Sequence, residues 1–120
     1  FVMKYILIIQ RINPVDGKYF SINLLEKEGI EELLRLPFVD VCFLFKVSDL
    51  IDRKGHKPTE KVIAAVKSRY VVVSFSTKTL SGERMDKIRR IWFEMMIERL
   101  GYSFQIIEKE NELFYVVKKG

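Results

Sequence analysis

Two kinds of polarity pattern alternate along the chain: apolar runs with no polar break, and longer segments spaced for a helix. Residues 70–75, YVVVSF, set four β-branched or aromatic residues side by side without polar alternation, as in a strand buried on both faces. Residues 39–46, VDVCFLFK, read the same way, with Lys46 closing the strand on a charge. Residues 18–23, KYFSIN, alternate and predict a short strand, and residues 103–108 and 113–117 predict two more. Glu110 and Asn111 lie between the last two, so they form an antiparallel hairpin. Helical spacing follows Glu26 in residues 24–36, with Gly29 as an interruption and Pro37 as the end. Ser48 is placed to cap a short helix through Asp52, with Gly55 as a stop, and Pro58 suits the first turn of a helix reaching about Arg69. The strongest helix covers residues 84–100, where Met85, Ile88, Ile91, Trp92, Met95, Met96 and Leu100 share one side. Residues 1–12, FVMKYILIIQRI, fit a buried strand or a buried helix equally, and residues 13–17, NPVDG, carry turn chemistry.

Strands alternating with helices argue for an α/β fold around a mostly parallel sheet, here ending in an antiparallel hairpin. In such sheets ligands bind in the crevice beyond the carboxyl ends of the strands. The abrupt change after residue 75 to hydroxyls, a lysine, a glycine and an arginine therefore places residues 74–84 on a functional rim.

At 120 residues the chain suffices for one domain with a core, and 48% apolar and 31% charged residues are ordinary for a water-exposed globular domain. No apolar run approaches the roughly 18 residues of a membrane helix, and the start lacks signal-peptide features, so no membrane is expected and the cytoplasm is the default compartment. Cys42 is alone, which excludes an internal disulfide, and one Cys with one His, His56, gives no metal cluster. His56, beside Gly55 in a loop, reads as a surface residue. The net charge of +5 is uneven: between Arg53 and Arg90 eleven Lys/Arg face three acids. That balance suits a polyanion, or else simply a set of solvated helix faces.

The segment VVVSFSTKTLSGERM resembles the loop after the fifth strand in the aminoglycoside-resistance family of 16S rRNA guanine-N7 methyltransferases, whose pattern is close to V-S-F-P-T-K-S-L-x-G-R-x-x-G-M. Further pieces fall in the same order: KYFSINLLE is similar to that family's third strand, VCFLFKVSDLID to its fourth, IWFE to W-F-E, and NELFYVVKK to a closing N-E-L-x-Y-V. FVMKYILIIQRI is similar to the helix after the second strand, so the resemblance implies a helix over residues 1–12. There are departures: Asn23 stands in place of Asp, Asp49 and Ser76 in place of prolines, and the spacing from Gly82 to Met85 is shorter.

The resemblance implies a Rossmann-like S-adenosylmethionine-dependent methyltransferase fold, with residues 1–120 as the C-terminal part of a single domain. It implies S-adenosylmethionine as cofactor, rRNA in the small ribosomal subunit as partner, and a link to antibiotic resistance. This sequence has no glycine-rich cofactor loop and no ribose-binding carboxylate, so those are expected in an upstream segment or a partner chain. Asn23, Leu24, Phe45 and Lys46 are the expected cofactor contacts. Phe75, Ser76, Thr77, Lys78, Arg84 and Met85 are the expected substrate contacts, with Phe75 either stacking on the base or packing in the core. Lys78, Arg84, Lys87, Arg89 and Arg90 are phosphate candidates. No catalytic acid or base is expected, because guanine N7 carries a free lone pair and positioning supplies most of the acceleration. A non-catalytic RNA-binding subunit, or a related methyltransferase with another substrate, remains open at this level.

Overall fold

The computed structural model describes residues 5–10 and 17–120, the side chains only from Ile22 onward and without that of Leu50. Two strands, β1 (Tyr5–Gln10) and β2 (Gly17–Ile22), pair antiparallel from Tyr5↔Ile22 to Gln10↔Gly17. The helix expected over residues 1–12 is therefore corrected: its described part is a strand. YILIIQ has no helical period, and the facing GKYFSI strand gives each of its positions a cross-strand partner. Residues 1–4 and 11–16, including most of the expected NPVDG turn, lie outside the described residues.

After β2 come α1 (Lys27–Arg35), β3 (Val39–Phe45), α2 (Val47–Ile51), α3 (Lys57–Ala65), β4 (Ser68–Ser76), α4 (Ile91–Arg99), β5 (Ser103–Lys109) and β6 (Glu112–Lys118). The second sheet has the order β3-β4-β6-β5. β3 and β4 are parallel, while β6 is antiparallel to both of its neighbours. β3, β4 and β5 thus run the same way with β6 reversed between them. The closing hairpin is as the polarity pattern implied, but the mostly parallel sheet is corrected to a mixed one. Among the described residues only the β3–β4 pairing is parallel, because β6 inserts between β4 and β5, and residues 18–23 pair with β1 in a separate sheet.

Burial alternates along β3, where Cys42 and Leu44 turn inward, and the inward set continues through Val71, Val73 and Phe75 to Leu113, Tyr115 and Val117. Val62 and Ile63 of α3, and Phe93, Met96 and Ile97 of α4, pack into the same core. Each such side chain contributes roughly 1.5–3 kcal/mol by leaving water. The burial on both faces expected for residues 39–46 is corrected: β3 buries only the face against the helices, and the other sheet face carries Val41, Phe43, Phe45 and Ile107, all exposed.

Three local expectations change. Ser48 does not cap α2 from outside; it lies within the helix and its hydroxyl donates to Asp52 Oδ2 at 3.0 Å. α3 ends at Ala65, because β4 begins at Ser68. The helix expected from residue 84 starts at Ile91, and residues 77–90 form an ordered loop, for reasons given below. No helix among the described residues is long and apolar enough to cross a membrane. No group of three or more His, Cys, Asp or Glu among them could hold a metal ion.

Candidate functional site: the rim at the strand ends

Because β3, β4 and β5 are codirectional, their carboxyl ends share one edge of the sheet, and the β5–β6 turn lies there too. Residue 76 ends β4 at this edge. The loop that follows is built by its own hydrogen bonds. Ser76 Oγ donates to the Lys78 carbonyl at 2.9 Å and accepts the Lys78 N–H at 3.2 Å. The Thr77 N–H donates to Asn111 O at 2.9 Å, tying the loop to the β5–β6 turn, and the Met85 N–H donates to Thr77 O at 2.8 Å. Lys78 and Arg84 form an antiparallel bridge, so the segment doubles back as a miniature hairpin.

Arg90 latches this hairpin to the sheet. Its guanidinium donates to Ser76 O at 2.9 Å and to Ile88 O at 2.5 Å, and lies 5.0 Å from the centre of the Phe75 ring. Its backbone N–H donates to the Tyr115 hydroxyl at 2.9 Å, and that hydroxyl donates to Glu94 Oε2 at 2.7 Å. Arg89 closes the cluster with hydrogen bonds to both Glu94 oxygens, at 2.9 and 2.5 Å. The helix predicted from residue 84 cannot extend back through this knot, since Arg90 and Tyr115 fix the chain at the start of α4.

On β3 the chain turns at Lys46, whose φ of 55° is left-handed and breaks the strand. The Lys46 N–H donates to Ser74 Oγ at 3.0 Å, and its ammonium lies 2.7 Å from Glu112 Oε1. The second Glu112 oxygen is buried without a partner. Phe45 is 53% exposed beside it, with its ring edge-on to Phe114 at 5.8 Å.

Phe45, Lys46, Ser76, Thr77, Lys78, Arg84 and Met85 therefore gather at one edge, as the sequence implied. Asn23 and Leu24 lie apart from these hydrogen bonds, on the turn between β2 and α1. Asn23 Oδ1 accepts the Leu25 N–H at 3.0 Å, and Leu24 is buried in the core.

Two expected substrate contacts do not face a ligand. Phe75 is 1% exposed, packed edge-on against Trp92, Phe93 and Tyr115, so it cannot stack on a base. It occupies an inward position of β4, and the period of two sends its ring to the helices. Thr77 is likewise buried and contributes backbone groups.

The phosphate candidates divide. Arg89 and Arg90 are committed within the protein, and Arg84 forms a two-pronged pair with Glu108 at 2.7 and 3.3 Å. The Arg84 hydrogen bond holds the Glu108 carboxyl below the usual range. Lys78 and Lys87 are exposed and have no side-chain partner among the described residues. His56 is a surface residue, as expected: it stacks on Trp92 with ring centres 3.5 Å apart and shares a hydrogen bond with Asp52 at 3.1 Å.

The motifs alone did not single out Glu108, Asn111 and Glu112 as rim residues. Their part depends on register, which sets Glu112 opposite Ser76 and Glu108 opposite Leu113. NEL was visible as a motif, but the cross-strand neighbour of its glutamate was not.

No family model matches the chain. The 16S rRNA (guanine(1405)-N(7))-methyltransferase of Frankia casuarinae is 29% identical over 109 residues, covering 82% of this chain and 38% of that protein. The crystal structure of an rRNA methylase from Escherichia coli superposes with a TM-score of 0.52 at 16% identity, over 70% of this chain and 32% of that one. The chain thus spans well under half the length of either protein. The resemblance carried by the motifs is borne out: the chain is similar to a 16S rRNA guanine-N7 methyltransferase, and its fold matches part of an rRNA methylase of Rossmann-like architecture.

Proposed function

We propose that this chain is the C-terminal part of a methyltransferase domain that transfers a methyl group from S-adenosylmethionine to N7 of a guanine in 16S rRNA of the small ribosomal subunit. The observation that carries this reading is the convergence of Phe45, Lys46 and the latched 76–85 hairpin at the carboxyl edge of codirectional strands. This is where α/β sheets bind ligands. The similarity to the Frankia casuarinae enzyme supplies the reaction class.

S-adenosylmethionine, when bound, supplies a methyl group on a positively charged sulfur. The residues present fit its adenosine end. Asn23 has its side-chain oxygen occupied by the Leu25 N–H, which leaves its amide donors for a ring nitrogen. Phe45 offers an exposed aromatic face. Leu24 supports the turn from the core, and Lys46 is held by Glu112 at the mouth of the site. Because guanine N7 needs no deprotonation, this chain's residues hold the base, hold the RNA backbone and exclude water. Away from the rim, the exposed face of Val41, Phe43 and Ile107 supports the view that this is part of a larger domain, since Rossmann-like sheets carry helices on both faces.

The test is transfer of labelled methyl from S-adenosylmethionine to purified small subunits by the full-length protein, with the modified base mapped by strand scission at N7-methylguanine. Label at one guanine N7 of 16S rRNA is expected. Tight binding to subunits without transfer, from a protein that also binds S-adenosylmethionine, would overturn the catalytic reading. Label on another atom would overturn the substrate.

A further inference from the structure

Leu80 stands at the tip of the rim hairpin with a relative exposure of 111%, while the other exposed large apolar side chains among the described residues reach 39–63%. A partly covered leucine on a flat surface needs no explanation. This one is held out by a rigid support. The Thr79 N–H donates to Glu83 O at 2.7 Å, and the Gly82 N–H donates to Thr79 O at 3.0 Å. Gly82 closes the turn at φ +88°, a conformation costly to other residues. The Thr79 and Ser81 hydroxyls bond each other at 2.9 Å, and Thr79 Oγ1 accepts the Glu83 N–H at 3.3 Å. The result is a three-residue turn whose first corner is Leu80. Corners of this kind ordinarily take polar residues or proline. Two cations without partners among the described residues, Lys78 and Lys87, lie on the same loop, while Arg84 is already paired with Glu108.

We propose that Leu80 is an apolar wedge that enters a base step of the RNA, with Lys78 and Lys87 on the flanking phosphates. The inference rests on the RNA reading of the rim. Side chains of this kind unstack a step and lower the cost of turning a base outward. Guanine N7 faces the deep, narrow major groove of an RNA helix, which side chains do not enter, so a displaced base presents it more readily to an enzyme. Order in the turn matters, because a tip that must first be ordered would lose part of its binding energy to that ordering.

The test measures binding of the full-length protein to small subunits and to protein-free 16S rRNA across a salt series, for wild type, Leu80→Ala, Leu80→Met and Lys78→Ala. Leu80→Ala is expected to bind about tenfold more weakly, a shift of ~1.4 kcal/mol, with an unchanged salt slope because no charge is removed. Leu80→Met is expected to retain affinity, and Lys78→Ala to reduce the slope by about one unit. Wild-type affinity in Leu80→Ala overturns the wedge while leaving RNA recognition intact. A loss confined to intact subunits and absent with protein-free rRNA also overturns it, since the tip would then dock on a ribosomal protein. Failure of the wild type to bind either RNA ends the reading of the rim itself.

Discussion

The Lys46 ammonium lies 2.7 Å from Glu112 Oε1, so one ion pair spans the end of β4 and joins the strands on either side of it. The lysine side chain is 58% exposed, and pairs so placed contribute about 0–1 kcal/mol. The pair is therefore a poor staple for the sheet, yet it fixes a cation at the mouth of the proposed site. Lys46→Met is expected to lower the unfolding free energy by less than ~1 kcal/mol in urea. Methyl transfer by the full-length variant should fall more than about tenfold, ~1.4 kcal/mol in the barrier. A large stability loss with normal transfer would make the pair structural.

Arg90 has the opposite profile, since its hydrogen bonds run to backbone carbonyls and its charge lies over the Phe75 ring. Losing two hydrogen bonds and the cation–ring contact predicts about 2–4 kcal/mol for Arg90→Ala. Arg90→Lys should recover little, because an ammonium cannot reproduce the planar fork that reaches Ser76 and Ile88 together. Chemical denaturation gives the magnitude. Amide exchange should show lost protection across residues 77–89 at a denaturant concentration where the core stays protected. Uniform loss would mean the latch acts on the whole fold.

Gly29 is fixed by lack of space. A Cβ there would sit 1.8 Å from the Asn23 carbonyl oxygen and 2.7 Å from its carbon. Neither backbone atom can yield without moving the β2–α1 turn, which also carries the Glu26 N–H to Asn23 O hydrogen bond at 3.2 Å. Gly29→Ala should cost about 2–4 kcal/mol, against the slight gain that the same change brings at an unhindered helix site. A neutral or stabilising result in thermal or urea unfolding would disprove the close approach. If the proposed function holds, this variant should also weaken S-adenosylmethionine binding through Asn23.

Much of this was legible before any coordinates. The apolar runs at residues 39–46 and 70–75 mark β3 and β4, and the polar break after Phe75 marks the rim. What was not legible depended on register and on competition between local patterns. The face of Phe75 follows from which side of β4 the helices pack on, and an apolar run without alternation hides that choice. Met85 and Ile88 fit a helical stripe, but Arg90 and Tyr115 hold the chain in a loop there, and Ile88 reaches the core from that loop. Over residues 5–10 the apolar period fits strand and helix alike, and pairing with β2 decides for the strand where the resemblance implied a helix. The pairing of Lys46 with Glu112 likewise depends on register, which sets Glu112 opposite Ser76.

Acid and alkali should each act on one residue of the cluster behind the rim. The Glu94 carboxyl is held below its usual range, first by the Arg89 hydrogen bond and also by that from Tyr115, against burial, which pushes it up. Its stabilising effect is complete above the unfolded carboxyl pKa of about 4.3 and is lost as pH falls through the lower folded value. Glu108, held low by Arg84, adds to the same limb from an exposed position, where solvent weakens it. Tyr115 is pushed up to about 12 by burial and then by Glu94. Its contribution is complete below the unfolded value of about 10 and is lost as pH rises from there toward the folded one. Urea unfolding across pH should therefore fall off at both ends. Glu94→Gln should flatten the acid limb and Tyr115→Phe the alkaline one. Tyr115→Phe should also cost about 1–3 kcal/mol at neutral pH, because the Arg90 N–H loses its acceptor. If Glu94→Gln keeps the wild-type acid limb, the stabilising proton linkage lies elsewhere and the Arg89–Glu94–Tyr115 cluster does not anchor the start of α4.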